Sequence, residues 1–323
     1  MPCGLGATPK PHGMSRMRMR GEAETMKRYL AIDLGGTAIK YGVIDEGLNI
    51  LDKGVIDART QQEEHFFEDI SLLWREHGNG CEGLAISLPG VVDRKHGFAH
   101  SGGAYMWLHD RYIARELSDL LGTRVTIVND ANAACMAELG YGNLRDVSVG
   151  VTLVFGTGIG GAFAIDGKVI DGAHFTAGEF SMMRGNIDPV KRDDMWVFYN
   201  GVIGLKATIK EVAGLDDVDG IEAFRLIKEE HNEDVLRAVK LFCWHIAHHI
   251  YNLQAVLDAE RFVVSGGITN EPMFFDLLQE AVDRKFEEAY WHLLHQPELM
   301  LCKFRREANL VGALYNFVEL MEA

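Results

Sequence analysis

Cysteine, basic residues and long apolar runs are all scarce in this sequence. Five cysteines occur among 323 residues, with no C-x-x-C pair, which argues against a disulfide framework or a cysteine zinc site and fits a cytoplasmic protein. They are Cys3, Cys81, Cys135, Cys243 and Cys302. Lysine and arginine number 32 against 47 acidic residues, and the net charge of −15 opposes binding to nucleic acid. No apolar run approaches the roughly 20 residues of a membrane span, so no membrane partner is expected.

The remaining composition is that of an ordinary globular protein, with 47% hydrophobic and 24% charged residues. At roughly 100 to 200 residues per domain, the length predicts about two domains. Residues 1–26 contain proline, glycine and spaced arginines without apolar periodicity, and we expect a flexible tail there. This tail lacks the apolar segment of a secretory signal peptide, so the fold is expected to begin near Lys27.

Two glycine-rich turns, about 120 residues apart, divide similar pairs of apolar runs. The run ending at Leu34 meets Gly35-Gly36-Thr37 before a second run resumes, and the run ending at Phe155 meets a glycine-rich segment that begins at Gly156. Each pair reads as strand, turn, strand. The repetition predicts a duplicated α/β architecture in which two similar domains face each other.

Residues 156–161 also satisfy the dinucleotide pattern G-x-G-x-x-G. That pattern requires a helix after the glycines, whereas residues 162–165 and the following Asp166-Gly167 read as the second strand of a hairpin. The first turn likewise lacks the P-loop spacing. Two turns without Cβ atoms could instead clamp a triphosphate between two domains. The alternative is that tight hairpins simply need glycine for its positive φ.

Asp130 follows a β-branched run and precedes a helical segment that Gly140 is expected to close. A carboxylate at the end of a strand can accept a proton from an attacking hydroxyl. The alternative for Asn129-Asp130 is helix capping, for which both residue types are favoured. Asp33, just before the first glycine turn, is a candidate partner of Mg²⁺, since a carboxylate beside phosphate needs a cation between them.

Two further segments carry weaker signals. His245, His248 and His249 have helical spacing, but they lie in an amphipathic segment, residues 235–257, that reads as a core helix rather than a metal site. Ser265-Gly266-Gly267 follows an apolar strand and precedes a helix expected near Pro272, an arrangement that suits either a nucleoside cradle or a plain turn.

Five motifs follow one another along the chain: DLGGTAIK from Asp33, NDAN from Asn129, GTGIGG from Gly156, AGE from Ala177 and SGG from Ser265. In this order, they resemble the motifs of the ROK family of sugar kinases and repressors. The resemblance covers about Lys27 to the C-terminus. It implies the actin-like, hexokinase-like (ribonuclease H-like) α/β fold, with two domains closing over ATP and a sugar in an interdomain cleft.

The resemblance also implies roles for individual residues, with ATP and Mg²⁺ as cofactors and a small sugar as substrate. Asp130 is the expected catalytic base, and Mg²⁺ is expected near Asp33. Nucleotide contacts are expected from Asp33, Gly35, Gly36, Thr37, Lys40, Gly156, Thr157, Gly158, Gly160, Gly266 and Gly267. Sugar contacts are expected from Gly102, Gly103, Asn129, Asp130 and Glu179.

Departures from the family pattern narrow the expected substrate. Most ROK hexokinases continue Ala-Gly-Glu with a residue, Gly and His and then a cysteine-rich zinc loop, whereas this chain reads AGEFSMM and has no cysteine from Gly161 to Leu241. No structural zinc is therefore expected. Together with the Gly102-Gly103-Ala104 segment, this resembles the β-glucoside kinase branch, which phosphorylates the 6-hydroxyl of the glucosyl unit of cellobiose-like sugars. N-acetylmannosamine kinase and glucokinase or general hexose kinase remain alternatives.

The resemblance further predicts a homodimer and a division of the chain. Residues 27–144 with a returning C-terminal helix, 305–323, are expected to form one domain, and residues 145–304 the other. A non-catalytic sugar-sensing regulator is the alternative from another class, but it needs a DNA-binding domain ahead of Asp33, where this chain has 32 residues. An actin-like chaperone ATPase fits the glycine turns but not Asn129-Asp130 with Ala177-Gly178-Glu179.

Overall fold

A computed structural model describes residues 26–185 and 195–322 of the chain. The expected N-terminal tail, 1–26, lies outside these residues except for Met26. The strands are β1 Arg28–Leu34, β2 Ala38–Asp45, β3 Ile50–Asp57, β4 Cys81–Leu88, β5 Val92–Asp93, β6 Phe98–Ser101, β7 His109–Arg111, β8 Val125–Asn129, β9 Val149–Phe155, β10 Ile159–Ile165, β11 Lys168–Val169, β12 Arg261–Gly266 and β13 Glu298–Leu301. The helices are α1 Glu63–His77, α2 Ile113–Leu121, α3 Asp130–Tyr141, α4 Gly201–Ala213, α5 Gly220–Glu230, α6 Glu233–Leu257, α7 Pro272–Glu287 and α8 Ala308–Glu322.

Two five-stranded sheets have the same strand order. The first runs β3-β2-β1-β4-β8 and the second β11-β10-β9-β12-β13. In each sheet, the first strand of an antiparallel hairpin, β1 or β9, pairs in parallel with a later strand, β4 or β12. That strand in turn pairs in parallel with the edge strand, β8 or β13. Strands β5, β6 and β7 form a small third sheet that packs beside β8 and α2. We call the first sheet with the elements packed on it, including this small sheet, the first lobe, and the second sheet with the elements packed on it the second lobe. The repeated topology confirms the duplicated α/β architecture predicted from the glycine turns.

Central strands of both sheets are buried because helices cover their faces. Residues 29–34 of β1 and residues 262–265 of β12 are buried throughout, as expected of strands that are covered on both sides. In the second lobe, α6 packs between α4 and α7, and its apolar positions enter the core. The predicted amphipathic core helix is therefore confirmed.

The histidines of α6 belong to this core. His249 is buried and its ring stacks on Trp196 at a centroid distance of 4.3 Å. Across residues 26–185 and 195–322, no three histidine, cysteine or acidic side chains come together as metal ligands could. The same part of the chain contains no helix long and apolar enough to cross a bilayer.

Helix α8 returns from the second lobe to the first, where it packs against α3, β1 and β4. The contact with α3 is close, since a Cβ on Gly312 would stand 1.7 Å from the Ala133 carbonyl oxygen. Gly140 does not close α3, as the sequence predicted, because the helix continues to Tyr141 and Gly142 forms its cap. A Cβ on Gly140 would stand 2.4 Å from the Tyr315 ring of α8, so this glycine serves helix packing.

Helix α3 also contacts β10 of the second sheet and therefore lies between the lobes. Its first residue is Asp130, which places this carboxylate where the two lobes meet.

Candidate active site

Asp130 lies at the junction between β8 and α3. The helix cap is supplied by its neighbour: Asn129 Oδ1 accepts a hydrogen bond from Asn132 N–H at 3.0 Å, and Asn129 Nδ2 donates to the Gly90 carbonyl at 2.9 Å. Asp130 Oδ1 accepts from Ala131 N–H at 2.8 Å. Because Asn129 caps the helix, the capping alternative does not account for Asp130.

The electrostatic surroundings of Asp130 suit a general base. Its pKa is raised to about 6, chiefly by burial and further by the negative charges of Asp33 and Glu179, while the Ala131 hydrogen bond acts in the opposite direction. A base works best when its pKa lies close to the pH at which it operates. The influence of Asp33 and Glu179 also indicates that the three predicted carboxylates share one region of the protein.

Asp33 is held by donors from three parts of the first lobe. Lys40 Nζ donates to Oδ2 at 3.0 Å, from the position opposite Asp33 in the β1–β2 hairpin. Ser87 Oγ and Asn309 Nδ2 both donate to Oδ1, at 3.2 Å and 2.9 Å. The sequence predicted the hairpin that carries Asp33 and Lys40 but not the contact between them, and it missed Ser87 and Asn309.

The first glycine turn connects β1 to β2 by close approach of the backbone. Gly35 N–H donates to the Ala38 carbonyl at 3.0 Å, and a Cβ on Gly35 would lie 2.7 Å from that oxygen. A Cβ on Gly36 would lie 3.2 Å from the Ala104 side chain. The buried Tyr105 hydroxyl donates to the Gly35 carbonyl at 3.3 Å, a support that the sequence did not reveal.

The second glycine turn is supported by the start of α4. Val202 N–H donates to the Gly156 carbonyl at 3.0 Å and Ile203 N–H to the Thr157 carbonyl at 3.4 Å. No atom lies within 4 Å of the place where a Cβ on Gly156 would stand. The turn therefore leaves open space beside Gly156 while its carbonyls are occupied.

The alternative that tight hairpins simply need glycine for its positive φ does not explain the glycines of these two turns. The glycines with positive φ do not include Gly35, Gly36, Gly156, Gly158 or Gly160. A hairpin that merely needed left-handed backbone would place its glycines at such angles. Close approach explains three of them, since Cβ atoms on Gly35, Gly36 and Gly158 would crowd their neighbours.

The second turn lies close to the start of α3. A Cβ on Gly160 would stand 3.4 Å from the Ala131 Cβ atom, which is ordinary van der Waals contact. Ala131 follows Asp130 directly, so the second turn and the candidate base are neighbours across the two lobes.

Gly266 ends β12 and Gly267 follows it directly. Gly266 lies beside the second turn because it pairs with Phe155 in the sheet register. Gly266 has a φ of +115°, and a Cβ there would stand 2.0 Å from the Phe155 carbonyl oxygen. Gly267 has no atom within 4 Å of its Cβ position. The first glycine is thus required by packing, whereas the second borders open space.

The Ala177-Gly178-Glu179 segment docks on β10. Gly178 has a φ of +92°, and a Cβ there would stand 2.6 Å from the Gly161 carbonyl oxygen. The pKa of Glu179 is raised because the surrounding protein displaces water from it, with a hydrogen bond from Ser181 acting against this. Close backbone packing at Gly178 thus fixes the position of the backbone from which the Glu179 side chain extends.

Gly102 and Gly103 lie in the loop that follows β6. Gly102 is buried, and a Cβ there would stand 2.6 Å from Leu108 Cβ, so packing alone explains this glycine. Gly103 is exposed, has a φ of +56° and lies against Pro89. Next to Pro89, the Gly90 carbonyl accepts the hydrogen bond from Asn129, which precedes the candidate base. Packing and hydrogen bonding therefore connect this loop to the candidate base.

A duplicated α/β fold, with paired glycine turns and a strand-end carboxylate between its lobes, defines the actin-like, hexokinase-like class. Within this class, the family model described as "ROK family" matches residues 29–189 and 203–319. The chain therefore belongs to the ROK family.

Two relatives and one solved structure illustrate the similarity. The chain is 29% identical over 296 residues to a beta-glucoside kinase of Klebsiella pneumoniae, covering 90% of this chain and 96% of that protein. It is also 29% identical to a beta-glucoside kinase of Listeria monocytogenes, covering 90% and 97% of the two chains. A ROK family protein from Streptococcus pneumoniae, solved in complex with sucrose, has a TM-score of 0.81 at 27% identity and covers 91% of this chain and 99% of its own.

Proposed function

We propose that this protein is an ATP-dependent sugar kinase that transfers the γ-phosphate to the 6-hydroxyl of the glucosyl unit of a β-glucoside such as cellobiose. The observation that carries the proposal is the placement of Asp130 at a strand end between the lobes, with a pKa raised to about 6 and Asn129 as the helix cap. The names of the two bacterial relatives support the choice of a β-glucoside.

In this proposal, Asp130 accepts the proton of the sugar 6-hydroxyl as that oxygen attacks phosphorus. Its raised pKa suits this task, because a stronger base removes the hydroxyl proton more readily. Asn129 and Glu179 hold the other hydroxyl groups. The chain mainly supplies positioning and charge neutralisation, since the charge of the transferring group develops on phosphate oxygens.

The two glycine turns would receive the triphosphate. Backbone N–H groups approach phosphate oxygens most closely where no Cβ intervenes, and the Cβ positions of Gly156 and Gly267 border open space. Lys40 adds a positive charge beside the first turn, 3.0 Å from Asp33. These observations support nucleotide contacts of Gly156, Gly267 and Lys40. The proposal extends these contacts to their neighbours Gly35, Gly36, Thr37, Thr157, Gly158, Gly160 and Gly266.

Mg²⁺ fits the chemistry of this cleft. Proteins usually bind Mg²⁺ through one or two carboxylates and substrate phosphates rather than through a protein cage. Asp33 is the proposed carboxylate, and because its oxygens already accept from Lys40, Ser87 and Asn309, it would act through ordered water. When bound, Mg²⁺ would neutralise phosphate charge.

The test is an ADP-release assay with ATP and Mg²⁺ over glucose, N-acetylmannosamine, N-acetylglucosamine, fructose, cellobiose and gentiobiose. The proposal expects sugar-dependent ADP release with the highest kcat/KM for a disaccharide. A strict preference for one monosaccharide would overturn the β-glucoside part and favour the N-acetylmannosamine kinase or hexose kinase alternatives. ADP release that no sugar stimulates would overturn the kinase itself.

The proposal places the enzyme in the cytoplasm as a homodimer. Low cysteine content fits a reducing compartment, and the dimer is what the family resemblance implies. Light scattering of the purified protein would test the dimer directly, with the monomer mass of 36.0 kDa as the opposing result.

A further inference from the structure

A cavity of about 400 Å³ lies between the lobes, next to the candidate active site. Its lining comes from the first lobe at Val91, His100 and Ser101 and from the second at Ala173, His174 and Phe175. Small-molecule sites in proteins generally have volumes of about 300 to 1,000 Å³. The cavity is therefore large enough for one further ring of a substrate.

The cavity adjoins the proposed catalytic residues but is not built from them. On one side, Val91 follows Gly90, whose carbonyl accepts the hydrogen bond from Asn129. On the other side, Phe175 lies four residues before Glu179, whose charge raises the pKa of Asp130. The proposal below places the reacting end of a sugar at Asp130 and the substituent at its other end in this cavity.

An aromatic platform spans the lobes at the cavity. The rings of His100 and Phe175 stack with a centroid distance of 5.3 Å and an interplanar angle of 21°. Phe98 supports His100 edge-on at 4.8 Å, and Tyr112 in turn supports Phe98 at 4.7 Å. Aromatic faces contribute favourable contacts with the flat faces of other rings.

The backbone of Phe175 is held in an unusual conformation. Its φ of +59° is left-handed, which is unfavourable for a bulky side chain. Such conformations persist where the surrounding structure enforces them, and they are concentrated at functional sites. The strain at Phe175 and the stacking on His100 therefore both point to a ring whose position matters.

We propose that His100 and Phe175 form an aglycone subsite, which binds the ring attached to C1 of the glucosyl unit and so determines selection of β-glucosides over free glucose. The inference rests on the proposed function. The expected occupant is a ring that stacks on the platform, either a second pyranose or an aromatic aglycone. His174 and Ser101 offer polar groups to its hydroxyls.

The experiment compares kcat/KM for glucose, methyl β-glucoside, phenyl β-glucoside and cellobiose in wild type, Phe175→Ala and His100→Ala. Each variant is expected to lose about tenfold in kcat/KM for cellobiose or phenyl β-glucoside, and less than about twofold for glucose and methyl β-glucoside. Loss for cellobiose alone would assign a pyranose subsite, and loss for the phenyl glucoside alone an aromatic one. Tyr290→Ala is the matched control, because its ring is 90% exposed and lies in the segment after α7.

Equal losses for all four sugars, or no loss with any, would overturn the subsite while leaving the kinase intact. Calorimetric titration of the same proteins with cellobiose separates this inference from the proposed function. If no sugar is phosphorylated but cellobiose binds wild type about tenfold more tightly than Phe175→Ala and His100→Ala, the subsite stands and the kinase fails. Equal cellobiose affinity in all proteins would overturn the subsite.

Discussion

At the scale of single residues, the proposed chemistry depends on three carboxylates, those of Asp33, Asp130 and Glu179, and two of them raise the pKa of the third. Asp33 forms an ion pair with Lys40 and accepts hydrogen bonds from Ser87 and Asn309. The pKa of Asp130, by contrast, is raised by burial and by the negative charges of Asp33 and Glu179. This difference in surroundings gives the carboxylates different tasks. The well-paired one suits a fixed charge beside Mg²⁺, and the desolvated one suits a proton acceptor.

The sequence predicted the residue types of this site but only part of their arrangement. Asp33 and Lys40 face each other in the hairpin that the sequence predicted. Ser87 reaches Asp33 through the parallel register of β1 with β4, and Asn309 through the packing of α8, 276 residues away along the chain. No local pattern encodes such contacts.

The pH dependence of catalysis should report the raised pKa of Asp130. Because the base must be ionised, kcat/KM is expected to rise with pH, to reach half of its maximum near pH 6 and to level off at higher pH. Glu179→Gln removes one negative charge and should move this midpoint to lower pH. An acid limb near pH 4 in the wild type, or a midpoint unchanged by Glu179→Gln, would contradict this account.

Stability should also depend on Asp130. Its folded-state pKa of about 6 exceeds the ordinary value of 3.8, so ionisation destabilises the fold as pH rises between these values. Asp130→Asn should therefore increase the free energy of unfolding at pH 8 by up to about 3 kcal/mol. The gain should disappear below about pH 4, where wild-type Asp130 is protonated. Urea unfolding at both pH values measures this, and a destabilised variant at pH 8 would contradict it.

At the scale of elements, the patterns predicted the two hairpins and the long helix better than the helix ends. Both glycine turns lie between antiparallel strands, and α6 ends at Leu257 as its apolar spacing indicated. Gly140 was wrongly read as a helix end because glycine within a helix is unfavourable in isolation. The Tyr315 ring packs where a Cβ would stand, a tertiary reason that local sequence does not reveal.

Adjacent glycines after β12 should respond differently to substitution. Gly266→Ala places a Cβ against the Phe155 carbonyl at a φ of +115°, and should cost about 3 kcal/mol or more of folding stability. Gly267→Ala meets no protein atom and should keep its stability, but raise KM for ATP about tenfold by obstructing the nucleotide.

Thermal unfolding and ATP saturation curves distinguish the two variants. An unchanged KM for ATP in Gly267→Ala would remove that residue from the nucleotide site.

At the scale of the whole molecule, Arg94 joins both lobes to the returning helix. It donates to Asp171 of the second lobe at 3.3 Å, and to Asn316 and Glu319 of α8 at 3.2 Å and 2.5 Å. Its side chain is 7% exposed. Because Asp171 begins the segment that leads to Phe175 and Glu179, Arg94 helps to hold the cleft walls together.

Arg94→Met should destabilise the fold by about 2 kcal/mol, because it leaves the buried Asn316 and the partly buried Asp171 without their donor. Arg225→Met is the matched control: Arg225 also contacts several carboxylates, but its side chain is 39% exposed, and its loss should cost less than about 1 kcal/mol. Urea unfolding of both variants provides the comparison. Equal losses would show that burial gives Arg94 no special importance.

The most direct measurement is sugar-dependent ADP release by Asp130→Asn beside Asp119→Asn, a substitution on the exposed surface of α2. Loss of the base should reduce kcat at least about 100-fold while the folded protein remains intact, and the surface variant should retain wild-type turnover. Wild-type sugar-dependent ADP release by Asp130→Asn would contradict the role of Asp130 as the base.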